Sequence, residues 1–176
     1  MFNLSNKNKG FTLIEIIVVI LVITVGVLAT YIVVQEIISY THQVSSRLTA
    51  AYLAKEGIEI VRNIRDTNWL QGESWSNGLA DVGPNDWEAD YNDADLIDCS
   101  FPCDPNNSDN SPRFLKINGE FYNYISGSDT KFKRRIRISD IGGDNLTVTV
   151  SVWWEEKGET YGPITVQEIL YDWDPL

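Results

Sequence analysis

Histidine and cysteine are scarce in this sequence, which has one histidine, His42, and two cysteines, Cys99 and Cys103, among 176 residues. No acidic residue is placed by sequence to orient His42, so a histidine-based catalytic triad or metal site has no support. No serine lies in a nucleophile elbow, and two cysteines cannot fill a tetrahedral zinc site. The sequence therefore predicts a protein that is not an enzyme.

Basic residues are also few, because 14 Lys and Arg stand against 25 Asp and Glu, which gives a formal net charge of −11. Contacts with a phosphate backbone need clustered Lys or Arg side chains. We therefore expect no nucleic acid among the partners of this protein.

Residues 11–34 contain no proline and only one charged side chain, Glu15. An apolar run of about 20 residues is long enough to cross the hydrocarbon core of a bilayer, which is about 30 Å thick. A charge inside hydrocarbon costs about 2.5–3.5 kcal/mol, and the helix macrodipole offsets only about 0.3–1 kcal/mol of that cost. The sequence thus predicts a membrane-spanning helix whose Glu15 either finds a cationic partner or reaches the headgroup region.

The charges that flank the apolar run predict its orientation. Lys7 and Lys9 precede it and an acidic chain follows it, so the positive-inside rule places the N-terminus in the cytoplasm and the rest of the chain outside the inner membrane. A secretory signal peptide cleaved after Val27-Leu28-Ala29 is disfavoured, because the apolar run continues to Val34. An uncleaved signal anchor would explain the length and orientation of the run but not the residues from Gly10 to Glu15.

The segment Lys9-Gly10-Phe11-Thr12-Leu13-Ile14-Glu15 resembles the processing site of type IV prepilins and pseudopilins. The resemblance implies that a prepilin peptidase and methyltransferase cleaves after Gly10 and methylates the new amino group of Phe11. It also implies that Glu15 is the assembly glutamate, paired with the Phe11 amine of a neighbouring subunit in a filament.

The same resemblance implies a function and a set of partners. The chain would be a structural subunit of a type IV pilus-like filament, located in the inner membrane and then in an extracellular or periplasmic filament. Its partners would be other pilin subunits, an inner-membrane assembly platform and an assembly ATPase. The alternative is a membrane-anchored extracytoplasmic binding domain that does not polymerise.

A looser resemblance concerns the kind of subunit. The segments 50–59 and 62–65 are similar to minor pilins of the pilus-modification kind. Many major pilins also carry a proline in the apolar run, which is missing here. A minor pilin is therefore favoured over a major pilin or a secretion pseudopilin.

The pattern along the chain predicts an α+β fold with one long N-terminal helix packed on an antiparallel sheet. The expected helix runs from about Thr12 to about Arg65. The alternative is two helices separated by a break near Ser45-Ser46. The predicted regions are a leader (1–10), an apolar helix half (11–36), an amphipathic half (37–66), an acidic loop region (67–112) and a sheet (113–176). Apolar residues at helical spacing mark the face expected to pack on the sheet: Ile37, Tyr40, Val44, Leu48, Ala51, Ala54, Ile58, Val61 and Ile64.

The acidic loop region has ten acidic residues and no Lys or Arg, so it should repel itself unless a cation binds to it. Weak calcium candidates lie at close spacing within it, but they do not fit an EF-hand, and a solvated acidic surface is the simpler interpretation. These candidates are Asp86, Glu88, Asp90, Asp93 and Asp95. Cys99 and Cys103, outside the membrane, are expected to form a disulfide, with free thiols as the alternative.

From Arg113 onward, period-two alternation predicts four or five antiparallel strands in a meander. Asn118-Gly119 indicates a hairpin turn, and Leu146 begins the clearest apolar stripe. The last strand is expected to begin near Ile164. One basic cluster is either a charged strand face or a partner for the acidic loop of a neighbouring copy: Lys131, Lys133, Arg134, Arg135 and Arg137.

Overall fold

The computed structural model describes residues 10–79, 85–93, 95–99, 103–106, 111–140 and 145–172. Lys7 and Lys9 of the predicted leader lie outside these residues. The chain divides into two compact units, Met1–Val44 and Ser45–Leu176. The first unit is helical where it is described, and the second contains the remainder of that helix with a β-sheet. The predicted α+β fold is confirmed.

The helix α1 extends over Leu13–Gln71 and continues through Ser45 and Ser46, so the prediction of one long helix is confirmed and the alternative of a break there is not. Its end lies six residues beyond the predicted one. Gly72 has a φ of 73°, its N–H bonds to the Trp69 carbonyl at 3.0 Å, and the Glu73 N–H bonds to the Asn68 carbonyl at 3.0 Å. This is a Schellman cap, in which glycine supplies the left-handed conformation that ends a helix.

The buried face of α1 begins at Ser46 and differs in part from the predicted stripe. Ala54, Ile58, Val61 and Ile64 are buried as expected. The stripe residues from Ile37 to Leu48 are exposed and Ala51 is half-buried. Several of the buried positions outside the stripe carry small residues, Ser46, Ala50 and Gly57, because the helix lies close to the sheet. The buried residues are Ser46, Ala50, Leu53, Ala54, Gly57, Ile58, Ile60, Val61, Ile64 and Asn68.

Among the described residues the sheet has seven antiparallel strands, five of them in the predicted sheet region and two in the predicted loop region. The strands are β1 (Asn85–Glu88), β2 (Ile97–Asp98), β3 (Phe114–Asn118), β4 (Phe121–Asn123), β5 (Ser128–Asp140), β6 (Asn145–Glu156) and β7 (Glu159–Tyr171). Residues 67–112 are therefore not all loop, and β7 begins five residues earlier than predicted. The early start is explained by a tight turn at Lys157 and Gly158, which both have positive φ.

The strand order is not a simple meander. β3 and β4 form the hairpin predicted at Asn118-Gly119, but β5 returns to pair with β3 rather than with β4. β3 and β1 then pair with successive parts of β5, while β6 pairs with β5 and β7. The length of β5 explains this arrangement, because its 13 residues give room for two short partners along one edge.

The apolar face of β5 and β6 forms the core with α1. On β6 the predicted stripe from Leu146 to Trp154 is buried throughout, and on β5 Ile136 and Ile138 are buried beside it. Arg134 shares this face of β5 and is fully buried. The opposite face of β5 carries the remaining basic side chains, as the alternation predicted.

Gly57 lies where α1 packs directly against β6. A Cβ atom added to Gly57 would lie 2.8 Å from Val150 Cγ1 and 3.3 Å from Arg134 Cδ. Glycine within a helix costs about 1 kcal/mol relative to alanine. The sequence pattern alone makes Gly57 look like a weak point of α1, whereas the structure shows that it makes room for the sheet.

We expect Gly57→Ala to lower the free energy of unfolding, because overpacking costs about 1–3 kcal/mol and outweighs the gain in helix propensity. Urea denaturation followed by tryptophan fluorescence measures the change. Combining Gly57→Ala with Val150→Ala should give a smaller loss than the sum of the two single variants. Gly26→Ala is the matched control, since no atom lies within 4 Å of its added Cβ. Equal stability of Gly57→Ala and the unchanged protein would contradict the steric explanation.

Candidate functional site

The bond between Gly10 and Phe11 precedes the first residue of α1, and both residues are exposed. Thr12 caps the helix, because its Oγ1 accepts the Glu15 N–H at 3.3 Å and its carbonyl accepts the N–H groups of Glu15 and Ile16. A threonine cap followed three residues later by glutamate is the start of a capping box. The predicted cleavage bond is thus in non-helical backbone, and Glu15 lies in the first helical turn.

The apolar half of α1 has no covering within its own unit. All described residues from Gly10 to His42 are exposed, including Phe11 and Leu13, each at 78%. Exposed apolar surface costs about 25 cal/mol per Å² in water. By length and composition α1 could cross a membrane, as the single such helix among the described residues. This finding is consistent with membrane anchoring.

Asp86 on β1 is the centre of the ionic contacts on the outer face of β5. Its carboxylate is fully buried and accepts two hydrogen bonds from Arg137, at 2.6 and 2.8 Å. Arg135 Nε lies 3.8 Å away. The hydrogen bond to Asp86 raises the pKa of Arg137, whereas burial lowers the pKa of Arg135. Asp86 therefore has its cationic partners on β5 of the same chain.

Cys99 and Cys103 form the predicted disulfide. Both cysteines are also tied to Asp86, since the Cys99 N–H bonds to the Asp86 carbonyl at 2.9 Å and the Cys103 N–H bonds to the carboxylate at 2.8 Å. The Cys103 carbonyl accepts a hydrogen bond from Arg135 at 2.8 Å. Backbone hydrogen bonds thus hold the two cysteines of the disulfide to β1 and β5.

The other calcium candidates also bond within the chain. Glu88 accepts hydrogen bonds from the backbone and side chain of Arg113, each at 2.5 Å. Asp90 accepts from the Tyr124 N–H at 3.0 Å, and Asp93 accepts from the Asp90 N–H at 2.7 Å.

Asp95 is exposed and lines a cavity with Asp93. Among the described residues no three His, Cys, Asp or Glu side chains are grouped to hold a metal ion. Calcium binding at the five candidate side chains stays a prediction.

The five side chains of the basic cluster, from Lys131 to Arg137, have different partners and do not form one continuous surface. Arg135 and Arg137 bond to the acidic region of the same chain, Lys133 pairs with Glu155 at 2.8 Å and Lys131 with Glu156 at 3.5 Å. Arg134 points into the core, where it donates to the carbonyls of Leu53 and Ala89. The basic side chains of the cluster therefore have partners within the chain, which favours the interpretation as a charged strand face.

Sequence reasoning missed two features of this region. Arg113 lies just before β3, and no local pattern connects it with Glu88. Tyr91 and Phe121 form a stacked pair with ring centroids 4.8 Å apart, although 30 residues separate them. Neither contact has a signal among neighbouring residues of the sequence. The burial of Arg134 does have one, because the alternation of β5 places this charged residue on an otherwise apolar strand face.

The comparisons with known proteins bear on the N-terminal segment. Residues 5–31 match a family model described as the prokaryotic N-terminal methylation motif. No curated protein and no solved structure matches the chain. The matched range contains Gly10, Phe11 and Glu15 and the first part of α1. The match supports the resemblance of this N-terminal segment to type IV prepilins and pseudopilins.

Proposed function

We propose that the chain is a structural subunit of a type IV pilus-like filament, inserted in the inner membrane as a prepilin and then assembled through the apolar half of α1. The observation that carries this proposal is the exposed apolar segment 11–34, whose single carboxylate, Glu15, lies inside a methylation motif. The exposed helix needs an apolar environment, first lipid and then the helices of other subunits.

The proposed processing step is cleavage between Gly10 and Phe11 and methylation of the Phe11 amine by a prepilin peptidase and methyltransferase. Non-helical backbone at this bond and the exposure of both residues support access by a peptidase. Cleavage also creates the cation that Glu15 requires, because the new amine is positively charged when protonated.

Mass spectrometry of the protein isolated from cells tests this proposal. We expect an N-terminal peptide that begins at Phe11 and carries one added methyl group. An intact leader in filament fractions would contradict the proposal. It would favour the membrane-anchored binding domain, which keeps the same helix but does not polymerise.

The finer assignment is a minor pilin, with the N-terminus in the cytoplasm before assembly and the second unit outside. Two features support it: the likeness of segments 50–59 and 62–65 to minor pilins, and the absence of proline from the apolar run. The assembly platform and the assembly ATPase would be its partners in the cell. Immunoelectron microscopy of sheared material would show sparse labelling for a minor pilin and continuous labelling for a major one.

A further inference from the structure

Tyr91 and Phe121 form an exposed aromatic platform on the second unit. Tyr91 lies in the turn between β1 and β2, and Phe121 begins β4. Their ring planes are inclined at 29° with centroids 4.8 Å apart, and the two residues are 52% and 55% exposed. Aromatic side chains bury large areas in interfaces, so a stacked pair left half exposed is a candidate contact surface.

The turn that carries Tyr91 is fixed by buried polar groups. The Asp90 carboxylate, 1% exposed, accepts the Tyr124 N–H at 3.0 Å and the Asn92 N–H at 2.9 Å. Asp93 closes the turn by accepting the Asp90 N–H at 2.7 Å. A surface held in this way loses little conformational entropy when a ligand binds.

Two cavities meet at Tyr91 and Asn92. One is about 250 Å³ and is lined also by Asn118, Asn123 and Ser126. The other is about 360 Å³ and lies towards α1. Their volumes are close to the lower end of the range for small-ligand sites, about 300 Å³.

The polar groups of these cavities suit a neutral ligand. Asn92 and Asn118 are exposed, and an asparagine amide offers both donors and acceptors. Asn118 Nδ2 donates to Ser126 Oγ at 3.0 Å, which leaves the lone pairs of its carbonyl oxygen for a ligand. Asn123 is buried and its Oδ1 accepts two backbone N–H groups, so it supports the surface from beneath.

Of the three carboxylates in the larger cavity, Glu59 pairs with Arg62 at 2.7 Å and Glu56 lies 3.6 Å from Arg134. The third, Asp93, accepts a backbone N–H. A cationic ligand would have to compete with these partners, whereas hydroxyl groups can use the remaining lone pairs.

We propose that the Tyr91 surface, made of Tyr91, Phe121, Asn92 and Asn118, binds a neutral saccharide. The apolar C–H face of a sugar ring would lie on the electron-rich faces of the aromatic rings. The hydroxyl groups of the sugar would bond to the asparagine side chains. This inference does not depend on filament assembly, so either proposal can fail while the other holds.

The experiment uses the full-length chain in lipid nanodiscs free of sugar detergents. A panel of neutral hexose and N-acetylhexosamine oligosaccharides is screened on an array, and the best ligand is measured by saturation-transfer NMR. We expect Tyr91→Ala and Phe121→Ala to weaken binding at least about tenfold, as truncation of an aromatic anchor does. Tyr91→Phe keeps the ring and should bind as before.

Tyr171→Ala is the matched control, because Tyr171 is also 52% exposed but lies on β7. Melting curves identify variants that fold, and Asn92→Ala replaces Tyr91→Ala if the latter does not fold.

Three results would overturn the proposal: no neutral saccharide bound at millimolar concentration, unchanged affinity in the folded variants, or binding limited to amino sugars and abolished by salt. The last result would indicate a cation site.

Discussion

Glu15→Ala is expected to leave cleavage after Gly10 largely intact while the incorporation of the subunit into filaments falls on the order of 100-fold or more. The reason is that the Phe11 amine of the neighbouring subunit would be buried without its counter-ion. Removing one partner of a buried ion pair costs about 3–5 kcal/mol, and each 1.4 kcal/mol is about tenfold in an equilibrium constant. Immunoblots of sheared filaments and of the membrane fraction measure the two pools.

Two variants make this test specific. Glu36→Ala removes an exposed carboxylate from the same helix outside the motif, and it should assemble as the unchanged protein does. Glu15→Gln keeps the size of the side chain without the charge, so it should assemble as poorly as Glu15→Ala. Normal incorporation of Glu15→Ala would show that the proposed pairing is wrong. An uncleaved Glu15→Ala would show instead that the peptidase requires this glutamate.

Asp86→Ala is expected to give a large loss of stability, about 1–3 kcal/mol or more in the free energy of unfolding, because the buried Cys103 N–H loses its acceptor and Arg137 loses this ion pair. The carboxylate contacts β5 and the disulfide together. Its loss should therefore loosen β1 from the sheet. Urea denaturation measures the change, and hydrogen exchange should show faster exchange in β1 than in β6.

Glu168→Ala is the control for this variant. Glu168 binds Arg62 with comparable geometry, but both side chains are partly exposed, at 28% and 37%. Exposed pairs contribute about 0–1 kcal/mol. If the two variants lose equal stability, burial is not what makes the Asp86 contact important.

The sequence allowed the main architecture to be predicted because the patterns involved are local. The β6 stripe from Leu146 to Trp154 and the turn at Asn118-Gly119 depend on neighbouring residues only. The start of α1, predicted near Thr12 and found at Leu13, likewise follows the local apolar run. The methylation motif is a contiguous segment, and the family match covers it.

The features that were missed depend on contacts between distant residues. β1 was assigned to a loop because its carboxylates look solvent-exposed until Arg137 and Arg113 are placed beside them. Ser46 and Gly57 were not assigned to the core because the pattern ranks residues by hydrophobicity. The actual requirement is for small side chains where α1 lies close to β6. The order of β3, β4 and β5 also could not be read from the chain, since an alternating pattern does not say which strand is the neighbour.

The arginines that hold the acidic region in place have a consequence for how copies of the protein meet. Because Arg135 and Arg137 are engaged within the chain, they do little to balance charge at the outer surface. Without Lys7 and Lys9 the chain would have 12 basic and 25 acidic side chains. Identical copies would then repel one another over the Debye length, about 8 Å at physiological ionic strength. Mixed assembly with less acidic relatives lowers that repulsion, and added salt lowers it for a filament of identical copies.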